Sequence, residues 1–329
     1  MSLQQALRFE PQPFQRVWGG EQLQHLLRGQ VTWPSQTGEA WTLCDRPGHT
    51  SSVAEGPLAG RTLAGLMLSE QLALLGESRM SVDDNFPIIV KWLNTAELLS
   101  LQVHPGAGLA GRLGSEPKDE CWYICNAAPD SVLYLGLRDG VDAATFADAT
   151  ENGDVLDLLQ SFKPQPGDFF HVPAGTLHSI GAGLTLVEVQ QNSDTTYRVH
   201  DWDRAGLDGK SRELHREEAL QAIAFDHQVQ GPIRARAQDA SAVNPQASLL
   251  GEGPFAVDWL QIHDHYSHST LGRAWVYVVL AGGGSLRVAD NEPCRMVAGD
   301  AWLLPADAGD YAITDSDGEL ELLRVEARA

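Results

Sequence analysis

The chain has 329 residues, 43% of them apolar and 20% charged, which is enough for a large core and about two domains. Its 23 Lys and Arg against 44 Asp and Glu leave a formal charge of −21. So acidic a surface repels nucleic acid and anionic membranes, and a site for an anionic substrate must carry its own basic cluster.

Residues 1–14 show neither a basic nor an apolar leader segment, and no apolar stretch approaches the roughly 18 residues needed to span a bilayer. A cytoplasmic protein is expected. The four cysteines, Cys44, Cys121, Cys125 and Cys294, are too scattered for a disulfide framework. Cys121 and Cys125 lie in an apolar run and read as buried strand thiols.

The first forty residues read as irregular, broken by Pro11, Pro13, Gly19, Gly20 and Pro34. Strand-like runs follow at 41–44, 87–93, 100–103, 121–125, 132–137, 169–172, 184–189 and 195–199. Helical spacing marks 62–75, which stops before Gly76. Asp142 can cap a helix through Ala149, and Asp154 another through Phe162. An amphipathic stretch covers 213–223. Residues 226–250 read as a linker, and strands return at 255–262, 274–280, 285–288, 301–304 and 320–325. The expected division is a catalytic domain over 1–230 and a smaller β-domain over 245–329.

One internal echo supports two related β-units. Gly167-Asp168-Phe169-Phe170-His171-Val172-Pro173-Ala174 is matched by Gly299-Asp300-Ala301-Trp302-Leu303-Leu304-Pro305-Ala306. The first copy runs on to His178; the second has no histidine there. The second unit is therefore expected to bind no metal.

Four segments carry the chemistry. In Ser100-Leu101-Gln102-Val103-His104, alternation puts Ser100, Gln102 and His104 on one strand face. Lys118 and Glu120 enter the next strand two apart and project together. Pro173-Ala174-Gly175-Thr176 is a stiff turn that aims His178 reproducibly, as a metal ligand requires. His171 lies before that turn and reads as an ordinary strand residue. In the polar block from Glu188 to Arg198, Arg198 is suited to grip an anion with two bonds. Gln102, His104, Glu120 and His178 together offer two imidazole nitrogens and two oxygens, a set that suits zinc. Two histidines and one carboxylate also fit iron oxygenases.

Read together, these segments resemble the type I mannose-6-phosphate isomerases, a zinc-dependent branch of the cupin superfamily, in their short bacterial form. The likeness rests on Trp18-Gly19-Gly20, Gly38-Glu39-Ala40-Trp41, the run from Ser100 to Pro105 and Lys118 to Trp122. It continues through Pro173 to His178, Glu188 to Arg198, His200 to Arg204 and Arg212 to His215. The resemblance implies a mostly β fold with a few helices: a cupin-type jelly-roll barrel that is catalytic, plus a second, metal-free cupin-like domain. It implies one zinc per chain, held by Gln102, His104, Glu120 and His178. Catalytic roles fall on Lys118, Glu188 and Arg198, and substrate contacts on Trp18, Ser100, Lys118 and Arg198. The expected partner is a small sugar phosphate, neither nucleic acid nor membrane. Ala40 stands where the family usually has serine, and Ile180 where longer members carry a tyrosine. The competing readings are a metal-dependent oxygenase on the same barrel, which Gln102 argues against, and a non-catalytic sugar-binding module. The set Lys118, Glu188 and Arg198 argues against the second, and the sequence leaves open whether Glu188 or a metal-bound water is the base.

Overall fold

The computed structural model describes residues 3–78, 80–81, 83–152, 154–234 and 242–328. It is mostly β, and every strand pairing among the described residues is antiparallel. Each half is a pair of facing sheets, as in a jelly roll.

The first pair joins a seven-stranded sheet to a five-stranded one. The larger runs Ile233–Arg234, Asp168–Val172, Glu120–Ala127, Leu184–Gln191, Ile88–Asn94, Thr37–Leu43 and Gln12–Gly20. The smaller runs Leu159–Phe162, Leu133–Leu137, His178–Ile180, Leu101–Val103 and Tyr197–His200. Trp122, Phe170 and Leu186 from one sheet meet Leu133, Leu135 and Ile180 from the other. The second pair joins a six-stranded and a four-stranded sheet around Tyr277, Trp302, Leu322 and Ile313.

The two larger sheets pack back to back. Val90, Tyr123, Phe169 and Val187 on one meet Val257, Val276, Leu303 and Val325 on the other. A strand buried on both faces has no polar side, which is why Ile88-Ile89-Val90 and Val276-Tyr277-Val278-Val279 read as continuous apolar runs. Burying each such side chain contributes about 1.5–3 kcal/mol. Leu7–Arg8 pairs with Trp302 and Leu303, so the N-terminal segment adds a strand to the C-terminal sheet.

Several local expectations are corrected. The first forty residues are not irregular: Gln12–Gly20 is a nine-residue strand. It forms the edge of its sheet, where Pro13 need not donate to a further neighbour. Asp154 caps no helix; a short 3-10 turn Val155–Leu158 leads into the strand Leu159–Phe162. The linker carries strands at both ends. Ile233–Arg234 pairs with Asp168–Phe169, and Gln246–Leu250 with residues 257–260, while 235–241 lie outside the described residues. The helix Leu63–Leu75 is capped by Thr62 Oγ1, which accepts from Gly65 N at 3.1 Å. Asp142 accepts from Thr145 N at 2.8 Å ahead of Ala143–Asn152, which runs past Ala149. No helix among the described residues is long and apolar enough to cross a membrane. Cys44, Cys121, Cys125 and Cys294 are free thiols, and burial pushes Cys121 well up.

The echo in sequence is also an echo in structure. Asp168 accepts from Gln165 N and Arg234 Nε, each at 2.9 Å. Asp300 accepts from Val297 N at 3.0 Å and Arg28 Nε at 2.7 Å. The same register places Trp275 opposite Leu304 as Glu120 is opposite Val172. It also matches the pair Lys91–Glu188 with Asp258–Arg324, the charges reversed.

Candidate metal centre and active site

Gln102, His104, Glu120 and His178 converge between the two sheets of the first pair. The strand register does this: His178 pairs directly with Gln102, and the strand carrying Glu120 forms the facing wall. Gly175 N donates to His104 O at 2.8 Å, so the segments carrying the two histidines are tied together. Gly175 has φ +88, and a Cβ there would lie 3.1 Å from Ala222 O, so the turn needs glycine on both counts. Ala174 N donates to Asp119 Oδ1 at 2.6 Å, which pins the turn to the entry of Glu120's strand.

One donor atom from each of His104, Glu120 and His178 lies within 4.8 Å of the others, and all three side chains are buried. His104 Nδ1 faces Thr195 O at 2.8 Å and His178 Nδ1 faces Thr176 O at 2.9 Å. A carbonyl can only accept, so Nδ1 carries the proton and Nε2 presents a lone pair inward. Both Nε2 atoms stand 3.4 Å from Glu120. Burial and the Lys118 charge hold His104 down at about 3, and burial lowers His178 as well, so both rings are neutral at pH 7. Burial raises the Glu120 carboxyl, but Lys118 and the histidines outweigh it, and the group stays well below its ordinary value. Glu120 Oε2 is sealed from solvent and accepts no aligned hydrogen bond, with Lys118 Nζ 2.7 Å away. Lys118 Nζ is also 3.1 Å from His104 Nε2. The Gln102 amide faces His178 Nε2 at 3.2 Å. A dry set of neutral imidazoles and a carboxylate already drawing a cation fits a divalent metal.

Gln102 and Lys118, which contact the two histidines, line a cavity of about 570 Å³ together with Trp18, Ser100, Glu188 and Arg198. All six were singled out in the sequence. His171 was not expected here, and it is not: alternation turns it to the opposite face from Val172, toward His227 and a small outer cleft. Ile180 also lines the cavity.

Lys91 and Glu39 also line the cavity, and the sequence reading gave neither a role. Lys91 Nζ donates to Glu188 Oε1 at 2.9 Å, both groups buried, and also contacts Gln190. The signal was a lysine inside the otherwise apolar run Ile88-Ile89-Val90-Lys91-Trp92-Leu93. Burial opposes the Lys91 charge, but Glu188 and Glu39 outweigh it, and Lys91 stays protonated. Burial raises Glu188; the nearby Glu120 adds to this and Lys91 offsets only part.

Glu39 accepts from Arg16 Nε at 2.9 Å, Arg16 Nη2 at 3.2 Å and Trp41 Nε1 at 2.8 Å. Burial raises its carboxyl, yet Arg16 and Lys91 outweigh burial and hold it at about 2. A depressed folded-state pKa stabilises above the unfolded value and is lost as pH falls through the folded one. Glu39→Gln is therefore expected to cost about 2 kcal/mol at pH 7, with the gap to the parent closing between about pH 4.5 and pH 2. Urea midpoints across that range check it; a gap independent of pH would contradict it.

Fold and cavity thus define a two-unit β protein of the cupin type with a buried two-histidine, one-carboxylate centre. The chain matches the family described as phosphomannose isomerase type I, catalytic domain, over residues 6–134. A probable mannose-6-phosphate isomerase of Bacillus subtilis is 35% identical over 316 residues, 93% of this chain and 95% of that protein. The crystal structure of the mannose 6-phosphate isomerase from Bacillus subtilis superposes with a TM-score of 0.87 at 31% identity, covering 98% and 99% of the two chains. A zinc-bound mannose 6-phosphate isomerase shares the fold alone, at TM-score 0.73 and 15% identity over 98% and 100% of the chains. This chain belongs to the type I phosphomannose isomerase family and is an aldose–ketose isomerase.

Proposed function

We propose that the chain interconverts mannose 6-phosphate and fructose 6-phosphate in this cavity, with one zinc held by Gln102, His104, Glu120 and His178. The observation that carries the reading is the convergence of two neutral, backbone-oriented imidazoles and a buried carboxylate against Gln102 and Lys118, which line a cavity with Glu188 and Arg198. Zinc bound there supplies a Lewis acid that eases negative charge on the sugar oxygens.

The chain's own residues do the rest. Glu188 takes the proton from C2 of the open-chain aldose as the C1 carbonyl oxygen gains one, and the C–H electrons form the C1–C2 double bond of the enediol. Glu188 then returns its proton to C1 as the O2 hydroxyl loses its own to become the ketone. Its raised pKa brings it nearer the working pH than an ordinary carboxylate, which favours a base that must both take and give a proton. Lys91 orients Glu188 through the 2.9 Å bond. Lys118 faces the oxygen on which charge develops, Ser100 and Trp18 shape the wall, and Arg198 grips the anion.

Lys118→Ala is expected to lower kcat/KM by roughly ten- to a hundredfold through lost charge-assisted bonds. Steady-state kinetics alongside zinc analysis checks this; wild-type kinetics with full zinc would remove Lys118 from the mechanism. A coupled assay for fructose 6-phosphate, with and without chelator, tests the reading as a whole. Absence of turnover in the zinc-loaded protein would refute it. For the second sheet pair we propose a packing role: Trp275 holds the position matching Glu120, and the Arg324 guanidinium lies 5.0 Å over its ring.

A further inference from the structure

We propose that the substrate's phosphate is received at the mouth of the cavity by Arg212 beside Arg198, with Asp201 positioning Arg212. The proposal rests on the sugar-phosphate reading above and assigns one end of it.

Arg198 is an uncompensated cation. Its Nη1 donates to Glu213 O at 2.9 Å, its Nε is buried without a partner, and it has no ion pair among the described residues. Burial lowers its basicity, and the charges of Arg212 and Arg204 lower it further, against a smaller pull from Asp201 and Glu213. A guanidinium left in this state, in a chain carrying −21, gains from an anionic ligand that relieves the repulsion.

Arg212 is held ready beside it. Asp201 is buried and accepts from Arg204 Nε at 3.1 Å and Nη2 at 2.9 Å. It also accepts from Arg212 Nε at 2.6 Å and from Arg212 Nη2. Those bonds use one edge of the Arg212 guanidinium and leave Nη1 for a ligand. Two guanidiniums thus share one inner carboxylate, and Arg198 beside them bonds to none among the described residues. The other acids nearby are Glu97, 3.7 Å from Arg204, and Glu213, whose side chains are 63% and 84% exposed, and Asp208 on the cavity rim. Solvent screens the exposed pair, so they do not cancel the cluster.

The backbone places the cluster at the right end. Arg198 pairs in register with Gln102, whose amide faces His178, so the strand leads from the metal cluster outward. Trp202 and Asp203 both take left-handed backbone, φ +59 and +52, and an Ala205–Ser211 bridge closes the loop. That strained turn brings Arg204 and Arg212 back onto Asp201. Arg212 and His215 line the same cavity as Lys118 and Glu188. A sugar phosphate with its reacting carbons at Glu188 then presents its phosphate to Arg198 and Arg212. Two forked donors suit a tetrahedral dianion, whereas sugar hydroxyls need no such charge.

The test is Arg212→Gln, Arg212→Lys and Asp201→Asn in the zinc-loaded protein. Readouts are kcat and KM for mannose 6-phosphate, and calorimetric binding of inorganic phosphate. Arg212→Gln should raise KM and the phosphate Kd by roughly ten- to a hundredfold, with kcat within about threefold of wild type. Arg212→Lys should raise both by a smaller factor, because a point charge lacks the fork. Asp201→Asn should raise KM and phosphate Kd while sparing kcat, as a positioning residue would. Wild-type phosphate binding in Arg212→Gln would overturn the proposal, as would a fall in kcat at unchanged KM. If Arg212→Gln does not fold, a wild-type KM and phosphate Kd in Arg212→Lys overturns it instead. Phosphate binding does not require turnover. A wild-type protein that fails to isomerise yet binds phosphate through Arg212 would refute the function above and leave this inference standing.

Discussion

His104→Ala and His178→Ala are each expected to lose zinc and, with it, about three to five powers of ten in kcat/KM. The donor set explains the severity. Each imidazole is oriented by a backbone carbonyl, Thr195 O at 2.8 Å and Thr176 O at 2.9 Å, so each Nε2 is held ready for the metal and its loss removes a pre-positioned donor. Removing one ring also leaves Glu120 buried beside Lys118 with fewer partners, which favours a closed lysine–glutamate pair over a metal. Lewis-acid stabilisation is worth several kcal/mol, and each 1.36 kcal/mol is about tenfold in rate. Elemental analysis of the purified variants is the decisive measurement, because activity alone does not separate a lost metal from a misplaced substrate. Full zinc occupancy in both variants would sink the ligand assignment.

How much of this was legible in the sequence depends on distance along the chain. Local rules located the helix end before Gly76, the turn at Gly175 and the shared face of Ser100, Gln102 and His104, because period and turn chemistry are written in neighbouring residues. The convergence of Gln102 with His178 is a pairing across 76 residues, and no local pattern fixes such a register. It became readable through the ordered motifs of the family resemblance. Gln12–Gly20 was missed because Pro13, Gly19 and Gly20 signal loops, and only its place on a sheet edge makes them tolerable. Lys91 was hidden for the opposite reason: its strand is apolar on both faces, and the one charge in it looked incidental until Glu188 was seen opposite. The reversed pair Asp258–Arg324 was equally invisible, since the echo between Gly167 and Gly299 keeps the turn and changes the chemistry.

Glu188→Gln is expected to retain zinc and to lower kcat by about two to four powers of ten, the usual worth of a positioned general base. Glutamine keeps the shape and can still accept from Lys91, so KM should change little, whereas the amide cannot take the C2 proton. The pH dependence separates this role from a structural one. Burial, with Glu120 nearby, raises the Glu188 carboxyl above its ordinary value. A base works only when deprotonated, so kcat/KM of the wild type should fall as pH drops through that raised pKa, on an acid limb lying above the ordinary carboxylate range. Glu188→Gln should flatten that limb, because the group that titrates is gone. Lys91→Met would act through its neighbour. Without the ammonium the carboxyl loses its main offset to burial, so its pKa rises further and the acid limb moves to higher pH with zinc retained. Profiles from pH 5 to pH 9, roughly the span over which such a limb would be visible, check both. An acid limb unchanged in Glu188→Gln would transfer the proton step to another group, and one unchanged in Lys91→Met would remove Lys91 from the tuning of the base.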